Sequence, residues 1–147
     1  MHMDKDIIAQ NPDAVKLLHR CNLKITRQRL LVLHFLMRAK NPTSAKMIVN
    51  YAKHHHVDQA TVYRILERFK DSNMINQIDL KEDFAYFELK DDKNDHHHLV
   101  CVACKKVEDF TGCNYETLMS KLDKNSHGFA KITGHSFELF GVCKTCA

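Results

Sequence analysis

The sequence has no run approaching the roughly 20 consecutive apolar residues that a membrane-spanning helix needs, which excludes a helical integral membrane protein. Its opening stretch, Met1 to Gln10, is too polar for the apolar segment of a signal peptide, so a cytoplasmic location is expected. Proline and glycine are scarce, at two and four residues, and no internal repeat or low-complexity tract is present; collagen-like, linker-like and solenoid architectures are thereby excluded. A strong charge of one sign is also missing, the formal net charge being +4.

What charge there is lies unevenly. Residues 1–90 carry 15 Lys and Arg against 10 Asp and Glu, while residues 91–147 carry 7 against 8, which makes the front half the expected polyanion binder. A chain of 147 residues suffices for two small domains, each with a modest core that a metal or a partner subunit would support.

Asp13 to Arg20 reads as a short helix. Thr26 is placed to cap a second, reaching about Arg38, in which Leu30, Leu31, Leu33, His34, Leu36 and Met37 fall at helical spacings and predict a wide buried stripe. Asn41-Pro42 ends it. Ser44 is placed to cap a third helix through Ala45, Ile48, Val49 and Tyr51, and His54-His55-His56 leads out of it as a solvated loop. Asp58 is placed to cap a fourth, roughly Gln59 to Lys70. Its inner stripe is Val62, Ile65, Leu66 and Phe69; its other face offers Gln59, Thr61, Tyr63, Arg64 and Arg68. Asn73 suits the left-handed turn that ends the helix.

Ile75 to Asp79 and Phe84 to Leu89 then read as strands of a hairpin around Leu80-Lys81-Glu82-Asp83. Helix, turn, helix, hairpin is the order of a winged helix-turn-helix domain. Beyond a polar linker at 91–95, strands are predicted at His98–Val102, Lys106–Phe110 and Phe137–Val142, with one helix at Tyr115–Leu122. The expected class is α+β: a winged helix-turn-helix domain over 1–90 and a small α/β domain over 96–147.

Two CxxC pairs, Cys101 with Cys104 and Cys143 with Cys146, offer four thiolates that can close a tetrahedral shell on zinc at about 2.3 Å with no open position, a structural rather than catalytic site. Such a site would tie the last strand to the first strand of its domain. The rival redox reading needs a thioredoxin-like βαβ unit, and none is visible. Cys21 and Cys113 read as buried or incidental thiols.

Asp95-His96-His97-His98 runs directly into Cys101. If the segment is extended, His96 and His98 share one face and Asp95 and His97 the other, so one strand could feed two metal sites, with Glu88, Asp109, Glu116 and His135 able to complete them. The bland alternative is a polar surface segment that binds nothing.

Four stretches in this order, 23–29 (LKITRQR), 60–66 (ATVYRIL), 96–104 (HHHLVCVAC) and 141–146 (GVCKTC), resemble the ferric uptake regulator family across nearly the whole chain. The resemblance implies a winged-helix DNA-binding domain, an α/β dimerisation domain, and a metal-dependent repressor of metal-homeostasis or oxidative-stress genes that is not an enzyme. It implies a homodimer on double-stranded palindromic A/T-rich DNA, read by residues 60–70. The DNA-contacting set is then Gln59, Thr61, Tyr63 and Arg64, with Lys24 and Arg27 from the first stretch. Carried over by position, the regulatory site falls on Glu88, His96, His98 and Asp109, and an additional site on Asp95, His97, Glu116 and His135. A structural Zn²⁺ and a regulatory Fe²⁺, Zn²⁺ or Mn²⁺ are the implied ions.

The chain departs from the family pattern at Asn41-Pro42-Thr43, where a histidine usually precedes the Ser-Ala that opens the third helix. The regulatory site then closes with four ligands or a water, or His34 substitutes, or sensing is weak. Asp109 stands where the peroxide-sensing branch has aspartate, while the absent histidine argues against that branch. A metal buffer would explain the histidines and cysteines but not the ATVYRIL helix, and a zinc hydrolase would need an open metal beside a base.

Overall fold

Pro12 lacks an N–H and has its φ preset, which suits the first turn of a helix, and in the computed structural model it opens α1, Pro12–Arg20. The structure describes residues 11–80, 84–90, 97–112, 114–130 and 137–147, and the chain divides after Lys90 into two compact units. The expectations for Met1–Gln10, for the turn residues 81–83, for the linker 91–95, and for His96, Cys113 and His135 lie outside the described residues.

In the first unit α2 spans Arg27–Arg38, with Thr26 Oγ1 accepting from the Arg29 amide at 3.3 Å. It packs against α1 and against the later elements of the unit, so Val32 joins Leu30, Leu31, Leu33 and Leu36 in the core. The predicted stripe is corrected at its far end: Met37, in the last turn, is exposed, and His34 is half-buried, its Nδ1 hydrogen-bonded to Asn11 Oδ1 at 2.9 Å.

Thr43–Ser44 form a short strand, β1, and Ser44 also caps α3, Ala45–Lys53, by accepting from the Met47 amide at 3.3 Å. The turn that follows places His56 at φ 59° and buries Val57. His55 lies on Tyr51, and Tyr51 on Phe35, with ring centroids 4.9 and 4.6 Å apart.

The fourth helix, α4, runs Gln59–Asp71 with Val62, Ile65, Leu66 and Phe69 buried. It ends on Asn73 at φ 59°, whose amide donates to Lys70 while that of Met74 donates to Phe69, both at 2.9 Å. These paired bonds satisfy the last carbonyls, and asparagine tolerates the left-handed position they need. Strands β2, Ile75–Ile78, and β3, Tyr86–Leu89, pair antiparallel, and β1 adds to the other side of β3, giving the order β1-β3-β2. The hairpin is therefore a three-stranded wing, with Phe84 outside the strand and under Lys46 Nζ, 5.3 Å from its ring centroid.

The second unit contains β4, His97–Cys101, β5, Val107–Phe110, α5, Tyr115–Asn125, and β6, Glu138–Gly141. The sheet order is β5-β4-β6, antiparallel between β4 and β5 and parallel between β4 and β6. A parallel pair needs a crossover, and α5 lies in it. Asn114 caps α5 by accepting from the Thr117 amide at 3.2 Å, and the helix continues past the predicted Leu122. Among the described residues no helix is long and apolar enough to cross a membrane.

Candidate metal centre and nucleic-acid face

Parallel pairing sets Cys101 opposite Gly141, so the residues leaving β6 pass the end of β4. The turn after Cys101 reverses through Lys105 at φ 64°, with the Lys105 amide donating to Cys101 O at 2.9 Å, which brings Cys104 back toward the strand end. A similar turn follows Cys143, where the Cys146 amide donates to its carbonyl at 2.9 Å. The sulfurs of Cys101, Cys104, Cys143 and Cys146 consequently all lie within 4.8 Å of one another.

Cys104 Sγ and Cys143 Sγ are 3.7 Å apart. That is far beyond a disulfide bond of about 2.05 Å. It matches the edge, about 3.8 Å, of a tetrahedron of sulfurs around zinc. The local electrostatics favour thiolate where the chain is most enclosed. Backbone amides, that of Cys104 first and then that of Cys143 at 3.3 Å, hold the buried Cys101 thiol down to about 6. Cys143 is lowered by the Cys146 side chain and then by the Thr145 amide, while hydrogen bonding to Cys143 and then Cys104 pushes Cys146 up to about 12. The quartet thus shares protons that a divalent ion would displace. Donor set, spacing and charge all fit zinc.

On the same sheet His98, 2 % exposed, stands opposite Asp109 in register, with Nε2 3.9 Å from Asp109 Oδ1. His97, also buried, points to the opposite face, edge-on to Phe137 at 5.4 Å and near Phe110 at 6.3 Å. Glu116 is exposed in the first turn of α5, and Glu88 is half-buried on β3 of the first unit. Among the described residues, the four cysteines form the one grouping of three or more such ligands.

In the first unit Gln59, Tyr63, Arg64 and Arg68 are exposed on the outer face of α4. Thr61 departs from the expectation of a solvent-facing side chain: it is half-buried, its hydroxyl donating to Asp58 Oδ2 at 2.6 Å and accepting from Arg64 Nη2 at 3.1 Å. Asp58 Oδ1 meanwhile accepts from the Thr61 amide at 2.9 Å. Lys24 is exposed, and its carbonyl accepts from Arg29 Nη1 at 2.7 Å. Arg27 Nη1 donates to His55 O at 3.3 Å, tying the start of α2 to the turn before α4. Sequence reasoning found Asp58 as a backbone cap but missed its second role on Thr61; the Asp-x-x-Thr spacing was the available signal.

The Asp58 carboxyl is held below its ordinary value of 3.8, first by the Thr61 hydroxyl and then by the Thr61 amide. A depressed folded-state value means that the ionised cap stabilises the fold at pH above 3.8 and that this contribution is lost as pH falls through the folded-state value. The melting-temperature difference between wild type and Asp58→Asn, followed by circular dichroism, is therefore expected to be flat above about pH 5 and to move against wild type on further acidification. A difference that does not change with pH would contradict this.

Residues 20–140 match the ferric uptake regulator family. The chain is 33% identical over 138 residues to the ferric uptake regulation protein of Yersinia pestis, with 90% of each chain covered. It superposes on the Vibrio cholerae ferric uptake regulator with a TM-score of 0.69 and 27% identity, covering 89% of this chain and 100% of that one. For the Pseudomonas aeruginosa ferric uptake regulator with manganese the TM-score is 0.71, the identity 26%, and the coverage 90% and 98%. The family consists of metal-responsive transcriptional regulators, not enzymes. With a winged three-stranded sheet in one unit, a cysteine quartet in the other, and a match across both, this chain belongs to the ferric uptake regulator family.

Proposed function

We propose that the chain acts as a homodimeric repressor of metal-homeostasis or oxidative-stress genes, binding palindromic A/T-rich operators when its regulatory metal site is filled. The observation that carries this reading is α4: one face is sealed in the core while Gln59, Tyr63 and Arg64 stand exposed on the more basic of the two units. In a major groove Tyr63 would meet thymine methyls or sugar, and Arg64 a phosphate or base edge, with Lys24 and Arg27 on the flanking backbone.

Cys101, Cys104, Cys143 and Cys146 would hold a structural zinc, which when bound supplies a cross-link between the ends of β4 and β6. His98 and Asp109, with His96 and with Glu88 of the first unit, would hold the regulatory ion. Asp95, His97, Glu116 and His135 form the additional set carried over from the family. The regulatory site would close with four ligands or a water, or with His34, whose Nδ1 is hydrogen-bonded to Asn11 so that Nε2 is the nitrogen that would ligate.

Those ligands would favour one angle between the units, at which the recognition helices of a dimer match successive half-sites. Moving such an equilibrium from mostly open to mostly closed takes about 5.5 kcal/mol of differential affinity. The Vibrio cholerae structure is described as revealing a structural rearrangement of the DNA-binding domains, which supports a movable first unit. Fe²⁺, Zn²⁺, Mn²⁺ and peroxide are the candidate signals.

Fluorescence anisotropy on a palindromic A/T-rich duplex, with chelator and then with each divalent metal, tests this. At least one metal is expected to tighten binding by about tenfold or more, within the ordinary range of coupling between sites. Equal binding under all conditions would leave a DNA-binding protein or metal buffer without a switch.

A further inference from the structure

We infer that Asp58 and Thr61 are positioning residues that set Arg64 for reading DNA, and that the Thr61 hydroxyl donates no hydrogen bond to the duplex; this rests on the reading of α4 as the recognition helix. The three side chains form a one-way chain. The Arg64 guanidinium donates to Thr61 Oγ1 at 3.1 Å, and the Thr61 hydroxyl donates to Asp58 Oδ2 at 2.6 Å. A hydroxyl has a single proton, and that of Thr61 is committed to the carboxylate, so it has none to offer a phosphate or a base acceptor. It can still accept, and one of its two lone pairs accepts from Arg64.

Asp58 is itself fixed, because its other oxygen takes the Thr61 amide at 2.9 Å as the cap of α4. The orientation of Arg64 is therefore anchored to the helix backbone through two side chains. A free arginine loses much of its rotamer freedom on docking, and ordering it beforehand removes part of that cost. The remaining guanidinium N–H groups stay free to engage the duplex beside Tyr63, which is 41 % exposed.

The test is a double-mutant cycle on the full chain loaded with Mn²⁺, using a duplex selected by the wild-type protein from a randomised pool and the same duplex changed one base pair at a time. Thr61→Val removes the hydroxyl at nearly constant shape and is expected to weaken binding about tenfold, the worth of a hydrogen bond to a charged group. The lost discrimination should concentrate at the base pair where Arg64→Ala loses it. Thr61→Ser, which keeps the hydroxyl, should restore wild-type binding, and Thr61→Val made in the Arg64→Ala background should add less than about a twofold loss. An equal loss in both backgrounds, or no rescue by serine, would overturn the positioning role while leaving α4 as the recognition helix. Arg64→Ala binding like wild type would overturn that reading, and this inference with it.

Discussion

Cys101→Ser is expected to abolish zinc binding by the four-cysteine set and to unfold the second unit. Cys101 is the most enclosed of the four sulfurs, 4 % exposed, and the one whose thiolate is best supported by backbone amides. Serine keeps the size but offers a hydroxyl that stays protonated at neutral pH and ligates zinc poorly. Structural zinc contributes on the order of 10–16 kcal/mol to the folding of small metal domains. The unit has a three-stranded sheet with Leu99, Phe137, Phe140 and Val142 exposed on the described surface, so little else replaces that contribution. Metal content per chain, far-ultraviolet circular dichroism and size-exclusion behaviour would read the loss, and Cys21→Ser, in the first unit, should change the metal content not at all. A Cys101→Ser protein that is stable, dimeric and zinc-free would refute the structural role.

The second large effect is expected from His98→Ala, which should lower regulatory-metal affinity by more than about 100-fold, beyond the loss seen when only a supporting partner of a ligand is removed. DNA binding should then stay at its metal-free level as metal is added. Because His98 is also a buried side chain, Val100→Ala on the same face of β4 controls for the cavity. The zinc content should remain one ion per chain in both variants, which separates the two kinds of site. A His98→Ala protein that still responds to metal would remove His98 from the regulatory set.

Local chemistry explains which parts of the fold could be read in advance. Thr26, Ser44 and Asp58 each cap the helix that follows, because capping is a matter of one oxygen and an amide three residues on. The α4 stripe and the Asn73 turn are similarly short-range. Strand β1 was illegible: two residues have no periodicity, and Thr43–Ser44 become a strand only because β3 lies beside them. Met37 escaped burial because its surroundings, not its spacing, decide. Thr61 is the opposite case: its partners Asp58 and Arg64 stand three residues away on either side, so the Asp-x-x-Thr spacing carried a short-range signal that the helical wheel alone does not show. The cysteine pairs were readable as a metal set from spacing, but their convergence depends on the parallel pairing of β4 with β6. His97 and His98 differ in surroundings because alternate strand residues face opposite ways, which the sequence indicated, whereas the aromatic neighbours of His97 come from other segments.

The order of strands has a consequence for biosynthesis. Cys104 precedes Cys143 by 39 residues, and β4, the middle strand, waits for a parallel neighbour made after α5. At about 5–20 residues per second, a ribosome needs roughly 2–8 s to supply the second half of the quartet. For that interval the nascent chain carries Cys101 and Cys104 as an open dithiol, able to oxidise or capture a softer ion, while the helices of the front lobe already have every partner they need. Cys143 and Cys146 complete the set only afterwards, so an oxidised or wrongly loaded first pair would have to be cleared before zinc could close the shell of four.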